Sequence, residues 1–236
     1  MNSFLIHWLK TTSVILFFSL SCFGQISAID GQRTNTANQD SHVSKTEYDS
    51  LTTVLLRIGQ ADQHDRNQLE AARFGGDSLQ MKALVGHMKQ TDSLNLTEVD
   101  QILTRYGWLS SSNVGLDANN TLFLVIQHAD LAAQEKYLPM MTEAVKHGAL
   151  KASSFALLQD RMALREGQKQ IYGSQLAWNM KTNHYYVMAI ENPDQVDQRR
   201  AKVGLVPIAI YILDCCNLVW DLPAFKKNIF SLKARK

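Results

Sequence analysis

Cysteine is scarce: three in 236 residues, two of them adjacent at 215 and 216. A disulfide between neighbours is strained and rare, so the chain has no disulfide framework and must stand on its core. Proline is scarce as well, at four residues, and glycine stops at twelve. These counts exclude a low-complexity chain and argue against a turn-dense all-β fold. An excess of one charge is also missing: 24 Lys and Arg against 22 Asp and Glu leave +2. A nucleic-acid footprint needs a strong basic excess on one face, so no nucleic-acid partner is expected. What is present is a globular composition, 45% apolar and 19% charged.

Residues 1–24 read as a secretory signal peptide. Lys10 supplies the positive flank, Val14 to Leu20 the apolar stretch, and Cys22 and Gly24 the small residues before a cut ahead of Gln25. Thr11 to Gly24 is 14 residues, against about 20 for a spanning helix. The alternatives are lipidation at Cys22, where Ser19 stands in place of the expected Leu, and a retained anchor. Cleavage implies a secreted or periplasmic protein with no transmembrane segment. Residues 25–44 (QISAIDGQRTNTANQDSHVS) are polar and read as a flexible linker. The domain is expected to occupy 45–236.

Ser44-x-x-Glu47 is a capping box, followed by Tyr48, Leu51, Leu55 and Ile58 at helical spacing. This helix is expected to reach the 70s, bending near Gly59 and breaking at Gly75-Gly76. A short helix over 77–92 follows, then one over Glu98–Tyr106 with Thr97 as N-cap and Gly107 as stop. Asp117 reads as the N-cap of a buried helix carrying Leu122–Ile126 through to Asp130. Further helices cover about 135–147 and run from Ser153 or Ser154 through Leu164, ended by Gly148 and Gly167. Residues 175–180 and 185–190 bracket a β-hairpin. Asn192-Pro193 caps a polar helix, and Pro207–Leu213 is short and apolar. The tail from Phe225 holds five basic residues and no acidic one. Phe225, Ile229 and Leu232 make it amphipathic, suited to docking on the net-negative body or to touching an acidic lipid surface. The expected fold is mainly α: a single helical domain with one small β-hairpin near 175–190.

Polar residues within these apolar helices are the functional candidates. His128 shares a helical face with Leu124, Val125 and Leu131, where a buried imidazole lacking partners costs on the order of 1–3 kcal/mol. Asp130, two residues on, points elsewhere. Asp160-Arg161 follow Leu157-Leu158, and charges there are rarely buried unpaired. They read either as an internal ion pair or as a clamp in which Arg161 holds a carboxylate or phosphate. Gln170, Tyr172 and Gln175 straddle Gly173, which permits positive φ. Arg199 and Arg200 lie beside Asp194 and Asp197 on a surface helix, where ion pairs contribute little. Cys215 and Cys216 look like core thiols.

No G-x-S-x-G, H-E-x-x-H, Walker-type or G-x-G-x-x-G pattern is present. No cofactor is expected. A metal set from His128, Asp130 and His64 or Asp62 has no local spacing behind it, so none is assigned. Gln127-His128-Ala129-Asp130, Asp160-Arg161, Gln170-x-Tyr172-Gly173-Ser174-Gln175 and Val196-Asp197-x-Arg199-Arg200-x-x-x-Gly204-Leu205-x-Pro207 occur in that order. With Asp62-Gln63-x-x-Arg66 and Gly107-Trp108 upstream, the pattern resembles the bacterial family known as domain of unknown function 6624, over residues 45–212. Ser174 replaces the expected Thr, and Leu109 the expected Pro. The resemblance implies a mostly helical single domain of unknown activity.

Three readings of the polar set remain. In the first the protein is a hydrolase or lyase: His128 acts as base or acid, Asp130 or Asp160 orients it, and Arg161 stabilises negative charge. Gln127, Gln170, Tyr172, Gln175, Arg199 and Arg200 would bind the substrate. In the second the same residues hold a small polar ligand or a protein partner without chemistry. In the third they form a buried network that specifies the fold.

Overall fold

The computed structural model describes residues 43–179, 182 and 184–227. Residues 1–42, where a signal peptide and most of a linker are expected, most of the hairpin turn and residues 228–236 lie outside that range, as do the expectations placed on them. The described residues are mainly α with one two-stranded antiparallel sheet. Among them no helix is long and apolar enough to cross a membrane.

Helix α1 runs Lys45–Gly75. Ser44 caps it by accepting from the Glu47 N–H, and Gly76 ends it in the left-handed region at φ 70. The reciprocal half of the capping box is not made. The Glu47 carboxylate instead accepts from the Tyr106 hydroxyl and from Arg105, tying the start of α1 to the end of α2. Helix α2 is one continuous element, Ser78–Tyr106, capped by Asp77. Thr97 therefore caps nothing; its hydroxyl donates back to the Ser93 carbonyl, the usual fate of a mid-helix threonine. The two long helices form an antiparallel hairpin.

A single turn, α3 (Ser111–Val114), leads into α4 (Leu116–His128). Gly115 holds the N-cap position, and Asp117 sits inside the first turn rather than capping it. Helix α5 (Leu131–Lys146) starts at Asp130 and α6 spans Ala152–Arg165. Strands β1 (Leu176–Asn179) and β2 (His184–Val187) pair with Trp178 opposite Tyr185. Asn192 adopts φ 41 and makes no cap. A 3-10 turn (Pro193–Gln195) passes into α7 (Val196–Lys202), followed by α8 (Ile208–Cys216).

The larger apolar core gathers Leu55 and Ile58 of α1, Leu103 of α2, Phe123 and Ile126 of α4, and Leu158 of α6. A smaller core joins the hairpin to α7 and α8 through Leu176, Trp178, Val196 and Ile208. Tyr185 links the hairpin to the far end of α1: its hydroxyl donates to Glu70 and accepts from Arg73.

Gly59 marks a close approach of α1 to α4. A Cβ there would stand 2.4 Å from the Thr121 hydroxyl oxygen, which donates to the Asp117 carbonyl. Alanine is otherwise favoured over glycine within a helix by up to about 1 kcal/mol. The overlap is worth about 1–3 kcal/mol in the other direction. Gly59→Ala should therefore destabilise the protein by about 1–2 kcal/mol in urea unfolding. Adding Thr121→Ala should restore the loss; a single variant as stable as wild type would refute the close-packing argument.

Candidate functional site

The inward stripe of α1 changes character halfway along. Leu51, Leu55 and Ile58 face the core, and the same helical period then brings Asp62, Asp65, Arg66 and Arg73 inward, all buried. Buried charges are tolerated only when paired, and each of these has a partner on another element or one turn away.

His128, the last residue of α4, meets Asp62 at the centre of this stripe. Its Nδ1 lies 2.9 Å from Asp62 Oδ1, with the imidazole 2% exposed and the carboxylate fully buried. Burial pushes the His128 pKa down to about 4; the Arg66 and Arg161 cations act in the same sense, and Asp62 pulls the other way. The ring is thus neutral at pH 7, donates from Nδ1 to Asp62, and keeps its lone pair on Nε2. That nitrogen is buried and has no hydrogen-bond partner. For Asp62, burial favours protonation, but His128, Arg66 and Gln63 outweigh it and hold the carboxyl below its ordinary range. Gln63 donates to the second Asp62 oxygen at 2.6 Å.

Arg66 joins Asp62 to Asp92. One guanidinium nitrogen is 3.2 Å from Asp62 Oδ1, and the other donates to both Asp92 oxygens at 2.8 and 2.9 Å. Asp92, on α2, is the most solvent-exposed of the four at 19%. Its pKa is raised by burial, against the pull of Arg66. Ligand atoms of Asp62, Asp92 and His128 lie within 4.8 Å of one another, close enough to hold a cation. In the structure the Arg66 guanidinium supplies the positive charge that holds the two carboxylates together.

The residues singled out in the sequence fall into two groups. Gln127 and Arg161 stand with His128. The Gln127 carbonyl accepts from Arg161 and from Gln134, while its own side-chain oxygen is buried without a partner. Burial drives the Arg161 pKa well down, and Asp62 counters it. Asp130 joins neither group by hydrogen bonding; it is exposed and caps α5 by accepting from the Ala133 N–H at 2.9 Å.

Asp160 turns away from its neighbour Arg161 and organises the second group. Its oxygens accept from the backbone N–H groups of Ile171, Tyr172 and Ser174 at 2.6–2.8 Å. Burial raises its pKa, against the pull of those three donors. Gln170 donates to the carbonyls of Gln175 and Met188 and accepts from the Gln175 N–H. Gln175 donates to the Leu157 carbonyl and Ser174. Arg200 donates to the carbonyls of Tyr172 and Val206 and stacks on Tyr211, and Arg199 donates to that of Ile171. Gly173 takes φ 71, and a Cβ there would meet Ile208 and Ile190 at 2.7 and 2.8 Å. These side chains bind the molecule's own backbone and clasp the loop 170–175 between α6 and α7. Tyr172 contributes its backbone, and its half-buried phenol has a pKa raised by burial.

Asp62, Arg66 and Asp92 were not assigned roles from the sequence. The available signal was the helical period of α1: extended past Ile58, it places Asp62 and Arg66 on the core face.

A family model described as a family of unknown function (DUF6624) matches residues 49–219. No curated protein and no solved structure matches the chain.

Proposed function

We propose a function from the site alone, since the chain belongs to DUF6624, a family of unknown function: an exported bacterial hydrolase or lyase with His128 as general base. The observation that carries this reading is the state of the imidazole. Asp62 fixes the tautomer by taking the Nδ1 proton, and Nε2 keeps an unshared pair in a buried setting with no partner. Such a nitrogen costs roughly 1–3 kcal/mol and gives folding nothing in return. A proton arriving at Nε2 makes an imidazolium directly against the Asp62 carboxylate, which stabilises it as it forms. Arg66 and Arg161 add positive charge near a developing anion. Asp92 is the most solvent-exposed of the set.

A second reading is favoured by the 4.8 Å grouping: Asp62, Asp92 and His128 take a divalent cation and Arg66 swings out. In both readings the Asp160 group serves to hold the loop 170–175.

The test is a panel of chromogenic esters, amides, phosphoesters and glycosides, with β-elimination substrates added. It is run on wild type and on His128→Gln, which can still donate to Asp62. The expected result is one substrate class turned over by wild type, with kcat/KM lower by about 10²–10⁴ in the variant. The variant should unfold within about 0.5 kcal/mol of wild type, or later. Undiminished turnover in His128→Gln would refute the base. Loss of wild-type turnover on chelation, recovered with Mn2+, would favour the second reading.

A further inference from the structure

Cys215 and Cys216 take no part in either group. They close the last turn of α8, where Asn217 ends the helix in the left-handed region at φ 52. Consecutive helical side chains diverge by about 100°, yet these two sulfurs lie 3.2 Å apart. That is far beyond the S–S bond of about 2.05 Å, so the pair is a dithiol. Both residues are half-buried, at the edge of the smaller core beside Leu218, Trp220 and Phe225. The Arg200 guanidinium interacts electrostatically with Cys215.

We propose that Cys215 and Cys216 form a chelating site for a thiophilic trivalent ion of the arsenite class. The bite selects the ion. With metal–sulfur bonds of about 2.3 Å, sulfurs 3.2 Å apart subtend about 90° at the ion. A tetrahedral ion such as Zn2+ needs about 109°, which places the sulfurs about 3.8 Å apart. A trivalent ion with a stereochemically active lone pair is pyramidal, with angles near a right angle. The ligand count agrees: among the described residues no histidine or carboxylate completes a three-ligand group with the pair, as a structural zinc would require. An organoarsenical needs two thiols and nothing more. Its As=O bond breaks, two As–S bonds form, and the oxygen leaves as water with the two thiol protons. Arsenic stays trivalent, and no electron is transferred.

The probe is phenylarsine oxide, added to the full chain carrying Cys22→Ser so that the pair supplies the only thiols. The expected product is one phenylarsine per chain by intact mass, with both thiols lost to titration. The adduct should survive excess 2-mercaptoethanol and be released by 2,3-dimercaptopropanol. Cys215→Ser and Cys216→Ser should each bind the arsenical at least about 100-fold more weakly, since each loses the second, intramolecular bond. An adduct stripped by the monothiol would overturn the proposal without any variant of the pair. So would equal affinity in either serine variant, or tighter retention of Zn2+ than of the arsenical.

Discussion

Replacing Asp160 with alanine is expected to destabilise the protein by about 4 kcal/mol or more, the largest effect of any single substitution considered. The carboxylate accepts from three backbone N–H groups within four residues, one of them fully buried and two partly so. Each would lose its partner, and each buried orphan costs about 1–3 kcal/mol. The loop they belong to carries the Tyr172 carbonyl that Arg200 holds, so the damage spreads to α7. Asp160→Asn separates charge from geometry. Its oxygen can still accept from Ile171 and Tyr172, but its NH2 would face the Ser174 N–H, donor against donor. A loss of about 2 kcal/mol is expected there. Urea unfolding followed by circular dichroism measures both, and a loss below 1 kcal/mol in the alanine variant would mean that solvent replaces the carboxylate.

Acidification is expected to remove about 3 kcal/mol of stability between pH 6.5 and pH 4 through His128 alone. The folded pKa of about 4 lies below the ordinary value of 6.5, so the unfolded chain binds this proton more tightly. The stability is fully present above 6.5 and is lost as the pH falls towards 4. Asp62, also lowered, loses its contribution at more acid pH still. Asp92 and Asp160, both raised, act in the opposite sense across the carboxylate range. The comparison that isolates the imidazole is wild type against His128→Gln at each pH. From pH 6.5 to pH 4 wild type should fall below the variant by about 3 kcal/mol relative to their difference at neutral pH; parallel curves would show that the ring is not held neutral by burial.

The helical plan was legible wherever local chemistry decides it. Ser44 acts through a side-chain bond to its own first turn and the glycines at 76, 107, 148 and 167 through their own backbone, so reading them required no knowledge of the fold. Thr97 misled because a hydroxyl that could cap a helix equally bonds back inside one, and only the neighbouring helix decides between them. The site was half legible. His128 stood out as a polar residue on an apolar face, but its partner Asp62 is 66 positions away, and the nearest acidic residue in sequence is Asp130. Asp160 and Arg161 look like one motif in sequence and serve different neighbours in space. Gln170, Gln175, Arg199 and Arg200 were recognisable as unusual. That they spend their hydrogen bonds on backbone follows from the tight loop at Gly173, whose conformation no spacing reveals.

Tyr185 reaches Arg73 across 112 positions. As the chain grows from its N-terminus, α1 and α2 are complete long before that tyrosine is made. Their apolar ends can close on each other at once, because the contacts are local in sequence and form quickly. Part of the charged half of α1 finds partners on α2 at once, Arg66 at Asp92, but Asp62 has to wait for α4 and Arg73 for the hairpin. Sealing of the site is therefore a late event in the life of each molecule. A chain stopped short of residue 185 would leave Arg73 without the hydroxyl that it holds in the finished molecule.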